Sequence, residues 1–258
     1  MSSSTLAHES SCVWLAELLL VGLFCYSWSG AGARDGGKQL TRGLGIVQRL
    51  ILIRHGQSEW NREGRLQGYE DSDLSELGRE QSVRLRKRLE REVIDAAYSS
   101  TATRALETGR IAVGHRLSIE PVEAFREVNL GIWEGREAAE IKKRYPQEAE
   151  LWFQSPSKVR IEGGEPLRSF RRRVTRAMSR IRGRHETESV IVFAHGGVIC
   201  AYLTSLLGLK LDDLWRFKIL NGSVSVVIFP NGSPRIELLN DTSHLDGVLG
   251  SSPRPKNP

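Results

Sequence analysis

Residues 50–56 have the sequence Leu50-Ile51-Leu52-Ile53-Arg54-His55-Gly56. Four successive apolar residues, two of them β-branched, predict a short strand that is buried on both faces. Ligands of open α/β sheets bind at the carboxyl ends of the strands, and there this strand would present an imidazole beside a fixed cation. The glycine would let a ligand approach the backbone closely. Taken alone, however, Arg-His-Gly is as consistent with an ordinary strand exit as with a binding site.

A second stretch of the chain has the same organisation. Residues 189–194 (Ser-Val-Ile-Val-Phe-Ala) predict another fully buried strand, which is followed by His195-Gly196-Gly197 and then by a helical pattern. The order strand, His-Gly, helix therefore occurs twice, at the two most hydrophobic strands of the chain. If these strands are parallel, both histidines lie at the same edge of the sheet, which favours a functional site.

The other predicted elements alternate between strands and helices, which indicates an α/β domain. They are helices beginning near residues 75 and 101, short strands at 95–100 and 117–121, short helices at 136–144 and 147–154, and a hairpin of 223–229 with 235–239. A long amphipathic helix is predicted over residues 166–184. We interpret its strongly basic outer face as solvated rather than as a binding site for polyanions.

Arg104 falls in the first turn of a predicted helix, where the helix dipole disfavours a cation. Two interpretations stay open: an anion bound at the helix start offsets this cost, or a nearby carboxylate pairs with the guanidinium, which is the commoner case. With Arg54 and the two histidines, Arg104 would form a pocket suited to a phosphoryl group, because guanidiniums bind phosphate oxygens bidentately and stay charged. A neutral imidazole among such cations can attack phosphorus and form a phosphohistidine.

The composition limits the classes of function. With 258 residues, of which 40% are hydrophobic, the chain can form one full-sized domain. A formal charge of +6 fits a small anionic substrate, and without a basic stretch interleaved with aromatics we expect no nucleic-acid partner. The three cysteines form no disulfide framework and no CxxC pair, and no His/Asp cluster has metal-ligand spacing. We therefore expect neither a metal nor another cofactor.

The first 45 residues differ in character from the rest. Their apolar run, residues 13–28, is preceded by no Lys or Arg, contains Glu17 and falls short of the about 20 apolar residues that a membrane span requires. We interpret residues 1–45 as a disordered leader, 46–248 as the folded domain and 249–258 as a disordered tail. We expect a cytoplasmic protein without stable membrane association, and export through the apolar segment is the alternative.

Further sequence blocks accompany the two His-Gly motifs. In chain order they are Ser58, Glu59 and Asn61; Leu66-Gln67-Gly68; Ser99-Ser100 followed by Thr103-Arg104-Ala105; Glu127 in Glu-x-x-x-Gly-x-Trp-Glu-Gly; and residues 240–245. Over residues 50–245 this order resembles the histidine phosphatase superfamily, in its phosphoglycerate-mutase-like branch, which includes broad-specificity and α-ribazole phosphatases. The resemblance implies a three-layer α/β/α sandwich with a mostly parallel central sheet.

The resemblance also implies roles for individual residues. His55 would be the nucleophile, and Glu127 would act first as general acid and then as general base. Arg54, Arg104 and His195 would bind the phosphate oxygens and stabilise charge in the transition state. The remaining phosphate- and substrate-binding positions would be Ser58, Asn61, Gln67, Gly68 and the backbone of Gly196. Side chains from about residue 136 to 165 would decide the substrate.

Two reactions fit such a pocket: transfer of the phosphoryl group to water, and its return to a second hydroxyl. Mutases of the family carry a longer insertion after the acid and a Glu-x-x-Tyr-Gly type motif, whereas this chain has Glu127-Val128-Asn129-Leu130-Gly131. The resemblance therefore favours a metal-independent phosphatase for a small phosphorylated metabolite. A phosphoglycerate-mutase type of phosphotransferase is the alternative, and a non-enzymatic binding protein is disfavoured because the whole residue set is present. The physiological substrate and the oligomeric state, with a homodimer as one option, stay open.

Overall fold

The computed structural model describes residues 48–248. The leader predicted over residues 1–45 and the tail predicted over 249–258 lie outside this part of the chain, so the domain limits stay predictions. Among the described residues, no helix combines the length and the apolar character that crossing a membrane requires.

A six-stranded sheet lies at the centre of the described residues, in the order β3-β2-β4-β1-β5-β6. The strands are β1 (Arg49–Arg54), β2 (Ala96–Ser100), β3 (Ile119–Val122), β4 (Ser189–Ala194), β5 (Val224–Ile228) and β6 (Arg235–Asp241). The first four run parallel to one another, whereas β5 is antiparallel to both β1 and β6. β1 and β4 occupy the middle because their apolar runs are buried on both faces. The predicted mostly parallel sheet is confirmed, as is the hairpin of β5 and β6.

Helices pack against both faces of this sheet. They are α1 (Glu59–Glu63), α2 (Glu76–Leu89), α3 (Thr103–Val113), α4 (Ala138–Arg144), α5 (Pro146–Gln154), α6 (Leu167–Arg184) and α7 (Gly196–Leu206). Leu50 and Leu52 of β1 belong to one hydrophobic cluster with residues of α6 and α7, whereas Ile51 and Ile53 belong to a second cluster with residues of α2 and α3. Since successive strand residues point to opposite faces, the two clusters are the two interlayer cores. The three-layer α/β/α sandwich is confirmed.

Helix α6 shows both the strength and the limit of periodicity as a predictor. Its buried residues are the six that the 3.6-residue period predicts: Leu167, Phe170, Val174, Ala177, Met178 and Ile181. On the basic face, Arg168, Arg172, Arg176 and Arg180 are exposed, as predicted. The prediction is wrong for Arg173, whose side chain is only 19% exposed and forms an ion pair with Glu165 over 2.8 Å. Arg173 is covered because the loop that carries Glu127 packs against this part of the helix.

The register of β1 and β4 brings the two His-Gly motifs together. Arg54 is the register partner of Ala194, and the backbone amide of His55 donates to the carbonyl of Ala194 over 3.0 Å. Both histidines therefore leave the sheet side by side at its carboxyl edge, as the prediction of parallel neighbours requires.

Candidate active site

A cavity of about 190 Å³ lies at this edge of the sheet. Seven of the predicted site residues line it: Arg54, His55, Asn61, Gln67, Arg104, Glu127 and His195. The rest of its wall consists of Arg65, Leu66, Val128, Leu130, Trp152 and Trp215. The other three predicted residues, Ser58, Gly68 and Gly196, do not line the cavity. The structure thus collects residues from positions 54 to 215 of the chain around one small volume.

His55 is held in one tautomer. Its Nδ1 lies 2.7 Å from the carbonyl oxygen of Gly56, and since a carbonyl only accepts hydrogen bonds, Nδ1 carries the proton and Nε2 keeps a lone pair. The side chain is almost fully buried. Burial, followed by the positive charges of Arg104 and Arg54, holds the pKa of His55 well below its usual value. The imidazole is therefore neutral at neutral pH, which is the state in which Nε2 is a nucleophile.

His195 lies beside His55, with ring centroids 5.1 Å apart and the rings inclined by 64°. Its Nε2 is 2.8 Å from the hydroxyl oxygen of Ser100, and that oxygen accepts a hydrogen bond from the amide of Ala102. Burial and the charge of Arg104 lower the pKa of His195 well below its usual value. With the Ser100 hydroxyl donating to Nε2, the buried Nδ1 carries the proton and has no partner among residues 48–248. His195 can then donate to an oxygen in the cavity.

Both guanidiniums keep an unused donor. Arg54 donates from Nη1 to the carbonyl of Ile219 over 2.6 Å. Arg104, only 1% exposed, donates to Asp71 over 2.9 Å and to the carbonyl of Gly68 over 3.1 Å. The Nε atoms of Arg54 and Arg104 are buried without a hydrogen-bond partner in the described part of the chain. A buried donor without a partner costs about 1–3 kcal/mol, and here two such donors belong to cations that line one cavity.

Of the two interpretations of Arg104 offered by the sequence, the carboxylate partner is confirmed, and the bound anion stays a prediction. The guanidinium pairs with the carboxylate of Asp71 through Nη1, and it also lines the cavity with its Nε unpaired. Burial lowers the pKa of Arg104 from its usual value, yet an arginine stays protonated at any physiological pH. Asp71 thus orients the cation without using all of its donors.

Asn61 is oriented by residues on both sides of it. Its Oδ1 accepts hydrogen bonds from the amide of Ser58 over 3.3 Å and from Nδ2 of Asn221 over 2.9 Å. Because the oxygen is occupied in this way, the amide nitrogen of Asn61 is the group left for an acceptor in the cavity. Asn221 also donates to the carbonyl of His55 over 3.2 Å. Sequence analysis missed Asn221, which belongs to no recognisable motif.

Ser58 does not line the cavity and instead stabilises the start of helix α1. It is the N-cap of α1, where its hydroxyl accepts from the amide of Asn61 and donates to Oε1 of Gln67 over 2.8 Å. Gln67 lines the cavity, but its amide nitrogen is engaged by Ser72. Ser58 therefore contacts the site through Gln67 and Asn61.

Gly68 and Gly196, which do not line the cavity, lie close to neighbouring groups of the site. A Cβ at Gly68 would lie 2.3 Å from a carboxylate oxygen of Glu134 and 2.5 Å from the backbone oxygen of Val128, so a larger residue would displace this segment. Gly196 begins α7 beside Arg54, whose Nε would be 3.6 Å from a Cβ at that position.

Glu127 brings a buried carboxyl group to the cavity. Its two oxygens accept hydrogen bonds from the amides of Val128 over 2.9 Å and of Gly197 over 2.8 Å. Burial raises the pKa of Glu127 above its usual value, against the lowering effect of these amides and of the two arginines. A Cβ at Gly197 would lie 2.4 Å from Oε1 of Glu127, so the carboxyl group fits only because residue 197 is a glycine.

The six other residues of the cavity wall, which include two tryptophans, are called the outer wall here, and none of them was predicted as a site residue. Trp152 and Trp215 pack against each other with ring centroids 4.9 Å apart. Trp152 belongs to the segment, residues 136–165, that was expected to decide the substrate, whereas Trp215 follows α7 and carried no signal. Arg65 is the one cation of this outer wall, and it is engaged by Glu63 and the carbonyl of Gly135.

Metal ligands and reactive thiols are not evident at the site. Among residues 48–248, no group of three or more His, Cys, Asp or Glu side chains could hold a metal ion. Cys200 is buried, and burial raises its pKa to about 12, so it is an unreactive thiol.

Comparisons with known proteins find a matching family, similar proteins and similar solved structures. Residues 50–242 match the family described as "Histidine phosphatase superfamily (branch 1)". Phosphoserine phosphatase 1 of Hydrogenobacter thermophilus is 37% identical over 198 residues, which cover 76% of this chain and 94% of that protein. Phosphoglycerate mutase-like protein 4 of Arabidopsis thaliana is 34% identical over 203 residues, 76% of this chain and 86% of the relative. The solved structure of Bacillus stearothermophilus YhfR superposes with a TM-score of 0.73 at 36% identity, covering 77% of this chain and 99% of that one.

Proposed function

The chain belongs to branch 1 of the histidine phosphatase superfamily and is an enzyme of its phosphatase class, and from that premise we propose that it hydrolyses small phosphomonoesters through a phosphohistidine on His55. The observation that carries this proposal is the pairing of a neutral, buried imidazole with two guanidiniums that each keep a buried Nε donor without a partner among the described residues. Such a set binds a phosphoryl group and leaves a nucleophile in contact with its phosphorus.

In the first step Nε2 of His55 attacks phosphorus. The N–P bond forms while the bond from phosphorus to the alcohol oxygen breaks, and protonated Glu127 gives its proton to that leaving oxygen. The raised pKa of Glu127 keeps a protonated fraction available for this transfer. Arg54, Arg104 and the Nδ1 proton of His195 stabilise the charge on the phosphoryl oxygens.

In the second step Glu127, now a carboxylate, takes a proton from water whose oxygen attacks phosphorus. The N–P bond breaks, His55 regains its lone pair, and orthophosphate is released. The two arginines supply the positive charge that metal ions supply in many phosphoryl-transfer enzymes, so we propose that the reaction is metal-independent. The alcohol is proposed to belong to a small metabolite, because the similar protein of Hydrogenobacter thermophilus is named a phosphoserine phosphatase.

The test is a comparison of two substrates in EDTA. p-Nitrophenyl phosphate and 3-phosphoglycerate are incubated with the wild-type protein and with His55→Ala, and free phosphate and isomerised product are both measured. We expect phosphate release that survives EDTA and disappears in His55→Ala. Isomerisation of 3-phosphoglycerate without release would establish the mutase alternative instead. No turnover on these or a broader panel of phosphomonoesters would indicate a binding protein.

A further inference from the structure

The side chain of Arg173, on α6, is saturated with hydrogen bonds. Nε and Nη2 form a two-pronged ion pair with Glu165 over 2.9 and 2.8 Å. Nη1 donates to the carbonyls of Ala124 and Arg126, both over 2.8 Å, and Nη2 donates to the carbonyl of Glu127 over 2.8 Å. A guanidinium has five N–H groups, and each of these five has an acceptor here.

All three backbone acceptors belong to the segment that carries Glu127. After a short 3₁₀ turn at Glu123–Phe125, residues 126–130 belong to no helix or strand. They therefore lack the regular backbone hydrogen bonds that would fix them. Arg173 supplies two bonds in their place, to the carbonyls of Arg126 and of Glu127 itself, and a third bond to Ala124 in the preceding turn.

The backbone of Glu165 also forms a hydrogen bond with the loop that carries Glu127. Its backbone amide donates to the carbonyl of Asn129 over 2.8 Å, so the residue that holds Arg173 also holds the loop. Gly131 lies against the segment that precedes α6, since a Cβ at Gly131 would be 2.0 Å from the carbonyl oxygen of Glu162. The loop is thus fixed between α6 and the segment that precedes α6.

We propose that Arg173, held by Glu165, is a positioning residue that sets the direction in which Glu127 presents its carboxyl group. The peptide carbonyl and the side chain of Glu127 share one Cα, so a rotation of that peptide moves the carboxyl oxygens relative to Gly197 and to the cavity. Misplacement of a reacting group by about 1 Å can cost about 100-fold in rate. This inference rests on the proposed role of Glu127 as general acid.

The inference is tested by the dependence of the rate on the leaving group. Phenol needs a proton when it leaves, whereas p-nitrophenolate leaves readily without one, and the two phosphate esters have the same ring. The measured quantity is kcat/KM for p-nitrophenyl phosphate divided by kcat/KM for phenyl phosphate. We expect this ratio to rise about 100-fold in Glu127→Gln and about tenfold in Arg173→Ala, since a displaced acid still works in part.

Two further variants protect the test against misfolding. Arg173→Lys keeps the charge but has only three donors on one nitrogen, and Glu165→Gln keeps the size but weakens the ion pair, so both should raise the ratio by less than Arg173→Ala does. The matched control is Arg171→Ala, which removes another guanidinium-to-carbonyl bond from the same helix, to Leu209. We expect it to leave the ratio unchanged.

The outcomes separate the two proposals. If Glu127→Gln does not change the ratio, the acid role fails and this inference fails with it. If Glu127→Gln raises the ratio but Arg173→Ala and Arg173→Lys leave it at the wild-type value, only the positioning role is refuted. A rise in Arg171→Ala equal to that in Arg173→Ala would likewise refute it, because the effect would then belong to helix α6 in general.

Discussion

Gly197→Ala gives a stringent prediction, because the structure fixes the size of the disturbance. The new Cβ would lie 2.4 Å from Oε1 of Glu127, whereas ordinary contacts begin at 3.4 Å. The carboxyl group must therefore retreat by about 1 Å, which can cost roughly 100-fold in rate, or about 2.7 kcal/mol of transition-state stabilisation. The backbone at Gly197 does not have a positive φ, so alanine introduces no conformational strain of its own.

The assay is kcat/KM for phenyl phosphate, measured beside the thermal unfolding midpoint. The matched control is Gly183→Ala, on the same kind of element, where a new Cβ meets nothing within 4 Å. Its activity should equal wild type, and its helix should gain up to about 1 kcal/mol in stability. A folded Gly197→Ala protein that retains more than a third of the wild-type kcat/KM would refute the placement of the acid.

Two further predictions follow from the same geometry. The pKa of Glu127 is raised above its usual value, so the acid loses its proton at a higher pH than an ordinary glutamate does. We therefore expect kcat/KM of the wild type for phenyl phosphate, divided by that of Glu127→Gln, to fall as pH rises. A ratio independent of pH from 4.5 to about 9 would contradict this sign, since the ionisation of the substrate cancels in the ratio. Asn221→Ala removes the bonds to the carbonyl of His55 and to Asn61 and should lower kcat/KM about tenfold, as the loss of about 1–1.5 kcal/mol implies. Steady-state kinetics that match wild type would contradict it.

Local patterns predicted the parts of the molecule that local forces determine. Continuous apolar runs such as those of β1 and β4 are typical of strands that are buried on both faces of a sheet. The histidines that follow these strands therefore lie at the carboxyl edge of the sheet. The buried face of α6 likewise follows from helical geometry alone. β1 and β4 thereby placed Arg54 and the two histidines at one edge of the sheet, whereas Arg104 was predicted from the first turn of α3.

Residues that depend on partners far away in the chain could not be predicted in this way. Arg173 looked like its exposed neighbours, because nothing in its surrounding sequence shows that three carbonyls 46–49 residues earlier would meet it. Asn221 and Trp215 stand outside any periodic element and reach the site through tertiary packing. Ser58 was assigned to the binding set from its place in a motif, and only the structure shows that its hydroxyl caps α1.

The position of β1 between two cores has a consequence for how this enzyme can change. Its alternate side chains are embedded in separate clusters on the two faces, so the strand that carries His55 cannot shift without disturbing both. The tryptophans of the outer wall lie on α5 and on the segment after α7, and they pack against the cluster that contains Leu50 and Leu52. Trp152 and Trp215 are therefore carried by other elements than the residues proposed to bind the phosphoryl group. We expect substitutions of Trp152 and Trp215 to change substrate preference while the proposed phosphate-binding residues keep their positions.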